Sequence, residues 1–147
     1  DWCVQKLTEV GVDRIVVLQT DRSVVRWTGT KAAQHLAKLE RVAAAALEQC
    51  RRAWLPTITG PVSVDQLVAG GTTAESSEAT GGSWVRADGS GRTLTADDCA
   101  IVIGPEGGFS DRERALLSDA VALGPHVLRA ETRRWPSASS AIELMWK

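Results

Sequence analysis

Two histidines and three cysteines among 147 residues leave this chain little with which to hold a metal ion. Cys3, Cys50 and Cys99 are an odd number, widely scattered and without Cys-x-x-Cys spacing. They exclude a disulfide framework and argue against structural zinc, so a reduced intracellular setting and no metal are expected. There is no apolar run of about 18 residues and no signal-peptide pattern, so neither membrane insertion nor export is indicated and the cytoplasm is the expected location. An excess of one charge is also missing. Seventeen Lys and Arg stand against 18 Asp and Glu, for a formal net charge of -1. A nucleic-acid partner would therefore be held by local patches and not by a global field. Asparagine is absent and arginine far outnumbers lysine, a compositional bias that says little about mechanism.

A chain of this length fits one domain, 1–147, which would bury roughly two thirds of its unfolded surface. Its most informative stretch is Ile101-Val102-Ile103-Gly104-Pro105-Glu106-Gly107-Gly108-Phe109-Ser110. The short, β-branched segment Cys99 to Ile103 reads as a buried strand. Ser110-Asp111-Arg112-Glu113 reads as a capping box opening a helix through Val121. Between them, three glycines and a proline surround one carboxylate. That arrangement suits an anion or the polar edge of a nucleoside. It has neither the Gly-Lys-Ser/Thr ending of a P-loop nor the spacing of a dinucleotide fold, and a plain tight turn would account for a Gly-Gly pair about equally well.

Other elements alternate along the chain. Trp2, Val4, Leu7 and Val10 can share a helical face that stops at Gly11. Ile15 to Leu18 reads as a buried strand with a polar exit from Gln19 to Ser23. The longest helical pattern runs from Lys31 to about Ala53, with Leu36, Leu39, Val42, Ala43, Ala46 and Leu47 on one side. Arg51 and Arg52 at its end either complement the helix dipole or serve a site. Ser63 caps a short helix to Val68. The Gly-, Ser- and Thr-rich segment from Gly70 to Thr95 reads as a mobile loop or weak strand pair. His126 to Arg129 reads as the last strand, and Ser137 to Met145 as a closing helix. The alternation implies an α/β fold, a mostly parallel sheet with helices on both faces and ligands at the carboxyl ends of the strands. Three exits would converge there: Thr20 to Ser23, Gly104 to Phe109, and Ala130 to Thr132.

On these residues the chain resembles the RsmE-type enzymes of the SPOUT class. The matching segments are Gln5 to Val12, Thr20 with Arg22-Ser23, Glu48-Gln49-Cys50-Arg51-Arg52 with Pro56, Ile103 to Ser110 with Glu113, Leu123-Gly124-Pro125, and Val127 to Thr132. The resemblance implies S-adenosylmethionine-dependent methylation at N3 of a uridine in small-subunit (16S) ribosomal RNA. It implies a C-terminal deep trefoil knot, against the rule that chains avoid knots, and a homodimer whose active site draws on both subunits. It assigns cofactor binding to Thr20, Gly104, Pro105, Glu106, Gly107, Gly108, Leu123, Gly124 and Leu128. Arg51 or Arg52 would stabilise the uridine anion or grip phosphate, and a carboxylate among Glu48, Glu106 and Glu131 would take the proton. Arg22, Arg51 and Arg52 would contact RNA. The chain starts where the family's methyltransferase domain would, so the family's N-terminal barrel-like (PUA-like) RNA-binding domain is expected to be absent from it. Arg133-Arg134-Trp135-Pro136 stands where the family usually continues with a small, apolar helix. The alternatives are a related enzyme modifying another RNA position and a noncatalytic dimerising or RNA-binding module on the same fold.

Overall fold

The computed structural model describes residues 1–70, 84–124 and 143–146. Helix α1 (Trp2–Glu9) buries Cys3, Val4, Leu7 and Thr8, a stripe at helical spacing. Trp2, expected on the inner face, is 53% exposed, and Cys3 takes its place. The Thr8 hydroxyl donates to the Val4 carbonyl at 2.8 Å. Gly11 then turns the chain at φ +94°, where a side chain would be strained.

Strand β1 (Arg14–Leu18) organises both sides of the sheet. Ile15 and Val17 join Val4 and Leu7 of α1 and Leu39 and Ala43 of helix α2 (Gly29–Cys50) in one apolar cluster. Val16 and Leu18 join a second cluster, with Val64 and Leu67 of helix α3 (Val64–Val68), Phe109, and Leu117 at the end of helix α4 (Asp111–Leu116). A period-two alternation with apolar residues on both sides is what a strand covered on both faces requires. α2 stops at Cys50, short of the expected Ala53, because Arg51 enters the left-handed region at φ 57°.

Strands β2 (Thr57–Val62), β3 (Val85–Thr93), β4 (Ala100–Val102), β5 (Ala120–Ala122) and β6 (Glu143–Trp146) complete a six-stranded sheet in the order β2-β1-β6-β4-β3-β5. Every neighbouring pair is parallel. The expected parallel α/β architecture is therefore present, with four corrections. β2 was not foreseen; its Gly60-Pro61 pair reads as a breaker, yet it lies on an edge strand, where proline removes no needed donor. Gly60 is required there because a Cβ would stand 2.5 Å from the Val17 carbonyl oxygen.

Residues 85–93 of the segment read as a mobile loop or weak strand pair form the nine-residue β3, which pairs with β4 and β5 and whose register slips against β5 between Ala87 and Arg92. α4 does not continue to Val121. Arg86 donates to the Leu117 carbonyl and, at 3.4 Å, to that of Arg114, capping the helix end and releasing Val121, fully buried, into β5. The fourth correction concerns the closing helix. Glu143 to Met145 are extended, because β6 fills the gap between β1 and β4, with Leu144 in register with both Ile15 and Ile101. The expected strand His126 to Arg129 and the start of that helix lie outside the described residues.

Beside β3, the carboxyl of Asp98 is buried and accepts hydrogen bonds from both terminal nitrogens of Arg92, at 2.8 and 2.6 Å, and from the amide and hydroxyl of Thr95. The Arg92 guanidinium above all, with the Thr95 bonds, holds this carboxyl far below the usual carboxylate range. A lowered folded-state value stabilises the fold at every pH above the unfolded value and is lost as pH falls toward the folded one. Asp98→Asn should therefore cost about 1–3 kcal/mol near neutrality. The difference should shrink below about pH 4, as read from urea unfolding across pH.

Candidate functional site

In an all-parallel sheet the strand exits gather at one edge, and two of the three expected exits are hydrogen-bonded to each other there. Residues Gly104 to Phe109 leave β4. Gly104 is buried, and a Cβ on it would come within 2.8 Å of the Phe109 ring, so the loop packs flat on its own aromatic anchor. The Gly108 amide donates to the Pro105 carbonyl at 2.9 Å, closing a turn in which Gly108 has φ +68°. Glu106 and Gly107 are exposed at its tip.

Three contacts lash this loop to the exit of β1. Arg22 donates to the Gly107 carbonyl at 2.9 Å. The Ser110 hydroxyl donates to Asp21 at 2.6 Å. The side chain of Glu113, 1% exposed, accepts from the Asp21 amide through one oxygen and from the Ser110 amide through the other, both at 2.8 Å. The expected capping box is thus formed, with the Glu113 amide donating to the Ser110 hydroxyl at 3.3 Å. What the sequence concealed is that its carboxyl also holds a residue 92 positions away.

Around this joint, Arg112 reaches Asp21 and, at 2.6 Å, Asp65. The Ser110 hydroxyl first, then Arg112, lowers the Asp21 carboxyl from its ordinary value, and Arg112 lowers that of Asp65. Thr20 is buried, with its amide and hydroxyl both 3.0 Å from the Ser23 hydroxyl oxygen. Leu123, half-buried, and Gly124, exposed, leave β5 at the same edge. The cofactor set expected from the sequence is therefore gathered on one edge as far as it is described: Thr20, Gly104 to Gly108, Leu123 and Gly124, with Arg22 beside it. Leu128, Glu131 and the Ala130 to Thr132 exit lie outside the described residues.

Glu48, Arg51 and Arg52 are elsewhere. α2 runs back across the sheet and delivers them to its amino edge. There Arg52 donates to the Val12 carbonyl at 2.6 Å and pairs with Asp13, just before β1 begins. The five residues of β1 separate the two edges by roughly 16 Å at the usual strand rise. Glu48 and Arg51 are exposed. Within one chain these residues do not meet the glycine loop.

Among the described residues no group of three or more His, Cys, Asp or Glu is placed to hold a metal ion, and no helix is long and apolar enough to cross a membrane. A loop with an exposed tip at Glu106 and Gly107, lashed to a second strand exit, is suited to holding a polar ligand against the sheet edge by main-chain contacts.

The ribosomal RNA small subunit methyltransferase E of Mycobacterium tuberculosis is 33% identical over 144 residues, covering 90% of this chain and 53% of that protein. The enzyme of the same name from Bacillus subtilis is 30% identical, covering 90% of this chain and 56% of that protein. The chain spans about half the length of the curated relatives it matches. Among solved structures, the Legionella pneumophila protein Lpg2936, in complex with S-adenosylmethionine, superposes with a TM-score of 0.77 at 33% identity, over 93% of this chain and 57% of that one. Residues 1–139 match the family described as the RNA methyltransferase domain, and the chain belongs to that family.

Proposed function

We propose that this chain is the catalytic domain of a cytoplasmic methyltransferase that transfers the methyl group of S-adenosylmethionine to N3 of a uridine in small-subunit (16S) ribosomal RNA. The observation that carries the reading is the Gly104 to Phe109 loop fastened to the β1 exit by Arg22 and Glu113. The same fold holds S-adenosylmethionine in the Legionella relative, and the names of the curated relatives supply the substrate class. The residues present fit such a ligand: the tip of the loop is exposed, and the atoms nearest to where a Gly107 side chain would start, all of Arg22, are no closer than 3.5 Å.

In this reading Gly104 to Gly108 and Thr20 hold the cofactor, with Leu123, Gly124 and Leu128 walling its adenine in a deep trefoil knot formed by the C-terminal part. Bound S-adenosylmethionine supplies an electrophilic methyl group. Uridine N3 is a weak acid, so the chain must take its proton, and Glu48, Glu106 or Glu131 is the acceptor. Arg51 stabilises the resulting anion and Arg22 meets RNA phosphate, whereas Arg52, 10% exposed and paired with Asp13, is not free to do so. Attack joins an anion to a cation and charge shrinks, so positioning in a dry site contributes more than an oxyanion hole would. Glu48 and Arg51, on the far edge, reach the glycine loop from a second copy of the chain. The reading therefore includes a homodimer with a composite active site.

Transfer of a labelled methyl group to 16S RNA or to small ribosomal subunits tests the activity. Arg51→Gly separates role from stability. Glycine relieves the left-handed strain at this position, so the variant should be more stable by about 1 kcal/mol. It should bind S-adenosylmethionine unchanged and lose methyl transfer at least a hundredfold. A stabilised variant with full transfer activity removes Arg51 from the mechanism.

A further inference from the structure

At the amino edge of the sheet, 63% of Trp54 is exposed although the side chain is fixed on two sides. Its indole Nε1–H donates to Asp13 at 3.0 Å. The Arg52 guanidinium lies over its ring, 5.8 Å from the centroid, within cation–π range. Arg52 is itself only 10% exposed, anchored by Asp13 and by the Val12 carbonyl. A large aromatic with its one polar hydrogen satisfied and one face backed by a fixed cation presents its other face to water in a single orientation. Ordinary burial would have covered that face, and a mobile surface tryptophan would not have these two tethers. Arg51, three residues earlier in the chain, is exposed.

We infer that Trp54, backed by Arg52, is a stacking platform for an unpaired RNA base. A flat π-face next to a cation is the combination that holds single-stranded nucleic acid without reading its sequence. This inference rests on the reading of the chain as an RNA-modifying domain. It adds a contact for a nucleotide outside the glycine loop, on the edge that carries Glu48 and Arg51.

The test is fluorescence anisotropy of a labelled single-stranded oligoribonucleotide, with sedimentation and S-adenosylmethionine calorimetry on the same samples. Trp54→Ala should weaken RNA binding about tenfold, the scale of one stacked base, and Trp54→Phe should keep it within about threefold. Trp54→Leu, which preserves apolar bulk without a π-face, should behave like the alanine variant. Cofactor affinity and oligomeric state should not move. RNA binding unchanged in Trp54→Ala, or restored by leucine, overturns the platform. A shift in oligomeric state without loss of RNA affinity overturns it in favour of a contact between protein chains. A parent chain that binds S-adenosylmethionine but no RNA overturns the platform alone, whereas one that binds neither overturns the functional reading with it.

Discussion

Gly107→Val should fold as the parent chain does and lose S-adenosylmethionine binding by at least a hundredfold. The expectation rests on an asymmetry within the loop. At Gly104 a Cβ would press on the buried Phe109 ring at 2.8 Å, and Gly108 holds a left-handed φ of +68°, so changes at either glycine confound folding with binding. Gly107 has neither constraint. The nearest atom to a Cβ there is in Arg22, at an ordinary 3.5 Å, and the residue is exposed. A branched side chain would fill the space in which a ligand approaches the backbone while leaving the fold its contacts. Circular dichroism melts and calorimetric titration of the same preparation read the two quantities separately. A variant that melts like the parent and binds the cofactor equally well places the ligand elsewhere.

The second large effect is at Glu113. Its side chain is 1% exposed and accepts the Asp21 and Ser110 amides, one on each oxygen. Glu113→Ala leaves two part-buried amide donors without their partner, at about 1–3 kcal/mol each when nothing replaces it. It also opens a cavity. A loss of about 3 kcal/mol in urea unfolding is expected. The same change unfastens the glycine loop from β1, so cofactor affinity should fall at least tenfold even where the variant is fully folded. Glu113→Gln retains one acceptor and should lie between. An alanine variant with parental stability would mean that the joint between the two strand exits does not hold the loop.

The parts of this structure legible in the sequence are those that local chemistry decides. Ser63 with Gln66 and Ser110 with Glu113 were readable as capping boxes, and both form with reciprocal bonds, because a cap is settled within four residues. Ile15 to Leu18 and Cys99 to Ile103 were readable as buried strands because each is a short apolar run between polar flanks, although β4 itself is shorter. The strands that escaped were settled by neighbours far away in sequence. Thr57 to Val62 contains Gly-Pro and became a strand by pairing with β1. Glu143 to Met145 carried a helical pattern and became the strand that joins β1 to β4.

The glycine loop stood out as a candidate site because a simple turn needs no carboxylate between a proline and two glycines. Its partner across the joint was not, since Asp21 and Glu113 carry no mutual signal in a single sequence. Glu48, Arg51 and Arg52 were readable as a polar cluster, and only the direction of α2 across a parallel sheet reveals that they stand at the opposite edge from the loop.

The central claim is that the fastened loop holds S-adenosylmethionine. Calorimetric titration of the chain with that cofactor, with sedimentation on the same sample, tests it most directly. Saturable binding near one molecule per chain is the result expected. A folded chain that takes up no cofactor would contradict it.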